Sequence, residues 1–214
     1  MIIGINGKIG AGKDTVGTII QGLLLTNKKK SFEIKKFAGK MKQIASILTG
    51  IPVEKFEDQE FKECFLDVEW GTVQNIPLNS IPPFADMQFN VMMTVREFLQ
   101  KLGTEAMRDG LHVDVWVNAL FADYKKKSNW IITDMRFPNE LEAVVKRHGI
   151  TIRVVRPHGY TDPNTGVYKE IPLSYHPSET SLDNAKFDYE IINDGSMEKL
   201  VKKVRKILIK EKLI

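Results

Sequence analysis

Cysteine is nearly missing from this chain: its 214 residues include one, Cys64, which excludes an intrachain disulfide and a multi-cysteine zinc cluster. Histidine is scarce as well, with four, and His158 and His176 have no third ligand at metal spacing. No apolar run approaches the roughly 18 residues of a membrane-spanning helix. The first residues lack a basic-then-apolar leader, so neither export nor a membrane partner is expected. Repeats and low-complexity linkers are missing too. Nor does one sign of charge dominate, since 31 basic against 27 acidic side chains leave a net +4. Many lysines fall in the triplets Lys28-Lys29-Lys30 and Lys125-Lys126-Lys127, where helices should end and cations offset exposed carbonyls. Others line the last helix opposite an apolar stripe of Leu200, Val201, Val204, Ile207 and Leu208. That distribution suits a solvated face better than a nucleic-acid polymer. What remains is 43% hydrophobic and 27% charged, enough for the core of one domain over residues 1–214.

Against these absences stands one strong motif. Met1-Ile2-Ile3-Gly4-Ile5 is an apolar run suited to a strand buried on both faces of a parallel sheet. It leads straight into Gly7-Lys8-Ile9-Gly10-Ala11-Gly12-Lys13, a G-x-x-x-x-G-K phosphate loop. Gly7, Gly10 and Gly12 permit the backbone torsions that turn successive N–H groups toward phosphate oxygens. Lys13 adds a point charge for the outer phosphates, and the helix expected over 14–25 aims its N-terminus at the same anion. Position 14 is Asp where a hydroxyl usually helps hold Mg²⁺, and the hydroxyl follows at Thr15. Asp14 and Thr15 are thus the candidate metal ligands, directly or through water.

The rest of the chain alternates strands with helices. Strands are expected at 31–36, 130–133, 151–155 and 189–192. Helices are expected at 39–48, 94–107 and 112–127, the last two separated at Gly110. Asn139 is read as the cap of a further helix closed by Gly149, and Ser196 as the cap of the last. Strands alternating with helices imply right-handed crossovers and a parallel sheet covered on both faces. Residues 51–93 have no clean period and read as an insertion of short elements. Residues 157–187 carry Pro157, Pro163, Pro172 and Pro177. A loop of about 30 residues in a compact domain suggests a lid over an active site.

Three features bear on chemistry. Asp134 and Arg136 directly follow the strand at 130–133, on the carboxyl edge where open parallel sheets bind ligands. Arg96, Gln100 and Thr104 recur every four residues and form one polar stripe, able to grip a phosphate and a base edge and equally at home on a surface helix. Arg156, at the base of the lid stretch, is placed to stabilise charge on a transferring phosphoryl group.

These segments together resemble the phage-type deoxynucleoside monophosphate kinases. The resemblance is carried by Gly12-Lys13-Asp14-Thr15, by Phe37-Ala38-Gly39-Lys40-Met41-Lys42, and by Arg96 to Arg108 with Gln100-Lys101-Leu102-Gly103-Thr104-Glu105. Trp116-Val117-Asn118, Asp134-Met135-Arg136-Phe137-Pro138-Asn139-Glu140, His176-Pro177-Ser178-Glu179 and Asn193-Asp194-Gly195 continue it in order. The resemblance implies a three-layer α/β P-loop kinase fold around a five-stranded parallel sheet, with an acceptor-side insertion over 51–93 and a lid over 157–187. It implies transfer of the γ-phosphoryl of ATP, with Mg²⁺, to a deoxynucleoside monophosphate, in the host cytoplasm, and it suggests a homodimer. Lys42, Lys62 and Arg96 would neutralise the acceptor's phosphate, and Gln100, Gly103 and Thr104 would read its base. Trp116 would wall the nucleoside or serve as a core aromatic. Asp134, Arg136 and Glu140 would lie on the acceptor side, and Lys13, Arg136 and Arg156 would carry catalysis. Two alternatives stay open on sequence: a dephospho-coenzyme A or phosphomevalonate type of P-loop kinase, and a non-catalytic nucleotide-sensing or nucleic-acid-binding module.

Overall fold

Short aliphatic runs that cannot face water set the centre of the molecule. The computed structural model describes residues 1–28, 30–74, 90–125, 127–157, 160–161, 168–169 and 176–214. In chain order, β1 (Ile2–Asn6) leads to α1 (Lys13–Lys28), β2 (Glu33–Lys35) and α2 (Ala38–Thr49). Next come α3 (Gln59–Lys62), β3 (Thr72–Gln74), β4 (Asn90–Met92) and α4 (Val95–Gln100), which runs on in widened π-type turns over Lys101–Asp109. Then follow α5 (Val115–Phe121), β5 (Trp130–Met135), α6 (Pro138–Val145) and β6 (Ile150–Val155). The chain closes with β7 (Tyr160–Thr161), β8 (Tyr168–Lys169), α7 (Pro177–Thr180), β9 (Tyr189–Ile192) and α8 (Met197–Lys210).

By internal packing the described chain forms two compact units, Met1–Gly39 with Val117–Ile214, and Lys40–Trp116. The first holds a five-stranded sheet ordered β2-β5-β1-β6-β9, with every neighbouring pair parallel. All six residues of β5 are buried, as a strand with both faces covered requires. On one face, Val16, Ile20 and Leu24 of α1 and Leu200, Val204 and Leu208 of α8 cluster with Ile3, Ile5, Ile131 and Ile152. Each such side chain contributes about 1.5–3 kcal/mol by leaving water. On the other, α6 comes so close that a Cβ on Gly4 would meet Val144 methyls at 3.2 Å.

The second unit has its own core of Ala45, Phe56, Leu66, Val95, Phe98 and Leu99, with Trp70 edge-on to Phe98 at 5.0 Å. Short elements suffice here because they are pinned locally. Asp58 caps α3 by accepting from Glu60 N at 2.8 Å. Thr94 and Glu97 form a reciprocal capping box at the start of α4. The described residues of the insertion over 51–93 lie within this unit. Residues 75–89 of that insertion, with Pro77, Pro82 and Pro83, lie outside the described residues, as do 158–159, 162–167 and 170–175 of the expected lid, His158 among them.

Several boundaries differ from the sequence reading for local reasons. The helix expected over 112–127 shrinks to Val115–Phe121, because the chain must turn to feed β5 and does so with Lys125 N bonded to Ser128 Oγ. Gly149 is not the left-handed residue ending α6; His148 is, at φ 54°. Gly149 is small for another reason, since a Cβ there would meet Val144 Cγ1 at 2.7 Å. Asn139 does not cap α6 either. That helix starts at Pro138, and the Glu140 carboxylate accepts from Arg136 N and Phe137 N at 2.7 and 3.1 Å. Ser196 does cap α8. Among the described residues no helix is long and apolar enough to cross a membrane.

Candidate active site

In the first unit, the carboxyl edge of the sheet gathers the chemistry. The loop after β1 needs its glycines: Gly10 and Gly12 have φ of 75° and 95°, and a Cβ on Gly7 would sit 2.5 Å from Val154 O. Lys13 opens α1 half-buried, and its Nζ donates to Lys8 O at 2.9 Å. Loss of solvent, with repulsion from Arg136 and Lys36, pushes its pKa down to about 8. Asp14 Oδ1 accepts from the Thr133 hydroxyl at 2.5 Å and lies 3.5 Å from Lys36 Nζ. Thr15 follows, half-buried in the first turn of α1.

Asp134, near the end of β5 and 9% exposed, accepts from Phe37 N and Ala38 N at 2.8 and 2.9 Å. Burial pushes its carboxyl pKa up, and the two amides with Arg136 and Lys36 pull against that. The Glu140 carboxylate, buried six residues further along, spends itself on the two backbone amides at Arg136 and Phe137 and so fixes where the Arg136 side chain starts. Arg136 Nη1 pairs with Glu179 and lies 3.4 Å from Ser178 O. Arg156, just past β6, donates to Gly10 O of the phosphate loop at 3.2 Å.

The second unit holds the remaining candidates. Lys42 on α2 is 8% exposed, with its Nζ 2.6 Å from Glu57 Oε1. Arg96 on α4 meets Glu63 through Nε at 2.7 Å and Nη2 at 2.5 Å, and Gln59 at 3.4 Å. Lys62 reaches Glu57 O only at 3.5 Å. Gln100 and Thr104 are half-buried. The α-spacing that set Arg96, Gln100 and Thr104 in one row holds only as far as Gln100. Beyond it the wider turns, closed by bonds such as Gly110 N to Glu105 O at 3.0 Å, give Thr104 a different rotation. Gly103 is buried, and a Cβ there would meet Met41 Sδ at 2.6 Å. Trp116 is 5% exposed and donates its indole N–H to Gly103 O at 2.8 Å, which suits a wall more than an open stacking platform.

A family model described as deoxynucleotide monophosphate kinase matches residues 53–204. The chain belongs to this family. That match begins after the phosphate loop, so the loop is a separate observation pointing the same way. The chain is similar to the deoxynucleoside-5′-monophosphate kinase of Escherichia phage T5, at 23% identity over 90% of this chain and 89% of the relative. It is also similar to a putative deoxynucleotide monophosphate kinase of Acanthamoeba polyphaga mimivirus, at 25% identity over 95% and 94%. The deoxynucleotide monophosphate kinase of Enterobacteria phage T4 matches at 31% over 54% of this chain and 45% of that relative. The protein is therefore a phage-type deoxynucleotide monophosphate kinase, an enzyme of the phosphotransferase class with ATP as phosphate donor.

In such a kinase every parallel strand should deliver something at its carboxyl end, and here each does. Beyond the loop after β1, Asp134 and Arg136 mark β5, and Arg156 marks β6. Two residues at this edge were given no role by the sequence reading. Lys36, directly after β2, faces Asp14. Asn193, directly after β9 and 6% exposed, donates from Nδ2 to Ala11 O at 3.0 Å. Their common signal was position, one residue past a strand end, and Asn193 also lies in the Asn193-Asp194-Gly195 segment of the family resemblance.

Proposed function

We propose that the protein moves the γ-phosphoryl of ATP to the 5′-phosphate of a deoxynucleoside monophosphate, with the phosphate loop holding the donor, and Lys42 and Arg96, with Asp134, Arg136 and Glu140, serving the acceptor. The observation carrying this reading is the braced phosphate loop, tied at Ile9, Gly10 and Ala11 to residues from three other parts of the first unit. Phosphoryl transfer asks for two nucleotides in line, little water and positive charge around the moving group. Lys13 and the loop amides between Gly7 and Gly12 other than Ile9 N and Ala11 N, which are bonded to Glu179 and Lys8 O, take the donor phosphates. Thr15 and Asp14 offer a hydroxyl and a carboxylate, oxygen donors that fit Mg²⁺, with Asp14 already held by Thr133. A cation held there would supply positive charge to the donor's phosphates. Lys13, Arg136 and Arg156 provide the protein's own charge, and Asp134 and Glu140 keep their loop in register on the acceptor side.

Lys42 and Arg96, with Lys62 beside them, take the acceptor's phosphate. Two of these cations now hold carboxylates, Glu57 and Glu63, which a phosphate dianion would displace. Gln100, Gly103 and Thr104 read the base, with Trp116 as wall. The acceptor is a mononucleotide and not a nucleic-acid polymer, the enzyme works in the host cytoplasm, and a homodimer is its assembly.

A coupled ADP-release assay with Mg-ATP tests the reading against dNMPs, NMPs, dephospho-coenzyme A and phosphomevalonate. Turnover confined to a subset of dNMPs is expected, and chelation should abolish it. Turnover with dephospho-coenzyme A or phosphomevalonate alone would overturn the acceptor assignment. Light scattering on the eluting protein checks the dimer.

A further inference from the structure

The Glu179 carboxylate is used twice, and nothing in the transfer scheme above employs it. Its side chain is 4% exposed. One oxygen accepts from Ile9 N of the phosphate loop at 2.9 Å, and the other pairs with Arg136 Nη1. We propose that Glu179 is a positioning residue, a strut that fixes Arg136 to the phosphate loop in the orientation needed for phosphoryl transfer. This rests on the reading of Arg136 as a charge in the transfer step.

A buried carboxylate kept this dry costs free energy unless both oxygens are satisfied, and here two donors from different segments satisfy them. A guanidinium is planar with its donors in a rigid fork, so a carboxylate gripping Nη1 sets the plane in which the whole group lies. The backbone end of Arg136 is held separately by Glu140. The side chain is therefore fixed at both ends, which is what a charge needs if it is to meet the moving group without reorganising.

The strut itself is well seated. His176 caps α7 by accepting from Ser178 N, and Pro177 pre-sets its first turn. Just beyond α7, Asp183 pairs with Lys8 of the phosphate loop at 3.0 Å. Arg153 on β6 donates to the carbonyls of Leu182 and Asp183. The short segment 176–183 thus reaches the loop at two neighbouring residues, Lys8 and Ile9, and Arg136 at a third point.

The test is a double-variant cycle read in kcat, KM for ATP and melting temperature. Glu179→Gln keeps the shape but turns an N–H₂ toward one of the two donors. It should lower kcat about tenfold or more and lower melting by a few degrees, since one donor loses its acceptor. Arg136→Ala should lower kcat at least as much. In the Glu179→Gln, Arg136→Ala double variant kcat should fall no further than in Arg136→Ala, and KM for ATP should stay with it, since the amide oxygen can still accept from Ile9 N. Glu179→Asp keeps the charge but shortens the reach, and gives a smaller loss. If Glu179→Gln does not fold, Glu179→Asp runs the same cycle. Multiplying losses, or a normal kcat in Glu179→Gln beside a damaged Arg136→Ala, would overturn the strut alone. A normal kcat in Arg136→Ala would instead overturn the role of Arg136, and the strut with it.

Discussion

Lys13 sits where its own charge is discouraged, and that makes it responsive to phosphate. Burial and two neighbouring cations hold its pKa near 8, against 10.5 for an ordinary lysine. Bound phosphate restores the proton, so between those values binding must take one up. ATP affinity, measured without metal, should be flat below about pH 8 and fall as pH rises through it. Calorimetry in buffers of different ionisation enthalpy would register the proton. Replacing Lys13 with Ala should cost about 10²–10³ in kcat with the fold intact; a loss under tenfold, with unchanged melting, would remove it from catalysis. Asp134 poses the opposite question. Asp134→Asn deletes a buried charge, which alone would favour the fold, but sets an amide N–H₂ against one of two backbone donors. The second effect should win, lowering stability by about 1–3 kcal/mol in denaturant melts.

At the scale of elements, α4 with its π-type continuation carries both a grip and a reader. Arg96→Ala should raise the acceptor's KM more than about tenfold, since one charged hydrogen-bonding partner is worth 1.5–3 kcal/mol or so. KM for ATP should stay within about twofold, because Arg96 belongs to the second unit. A collapse of ATP binding instead would refute the division of the two sites. Helix ends were legible where a local cap declares them, as at Ser196. They were misread where the cap is a side chain reaching backward, as Glu140 does, or where a histidine takes the left-handed turn expected of glycine. The π-type stretch was hidden because four-residue spacing looks the same in sequence whether or not the turns widen.

Over the whole molecule, the sheet could be read from its apolar or alternating stretches and the phosphate loop from its glycines, since both are local patterns. The contacts of Lys36, Asn193 and Glu179 could not, although Asn193 and Glu179 lie in segments that carry the family resemblance, because their partners are far along the chain: Asn193 bonds Ala11 across 182 positions. Which strand end lies beside which is decided by the β2-β5-β1-β6-β9 order, and no local pattern encodes that. The two units also predict where damage should be felt. Phe56 is fully buried in the second unit's core, so Phe56→Ala should cost about 3–5 kcal/mol there. Below the new melting temperature the acceptor's KM should rise while ATP binding persists, which isothermal titration can separate.

The wide turns over Lys101–Asp109 have a genetic corollary. A π-turn is an α-turn carrying one residue too many. Losing a single codon within that stretch would therefore heal the helix instead of breaking it. It would leave the residues on either side of the stretch facing much as they did, because the wide turns had already absorbed the extra one. Such a one-residue deletion should yield a protein that melts no lower than the parent and discriminates less among bases, because Gly103 and Thr104 within the stretch turn to new directions. At this point in the chain, the reading frame of the helix is itself the heritable trait.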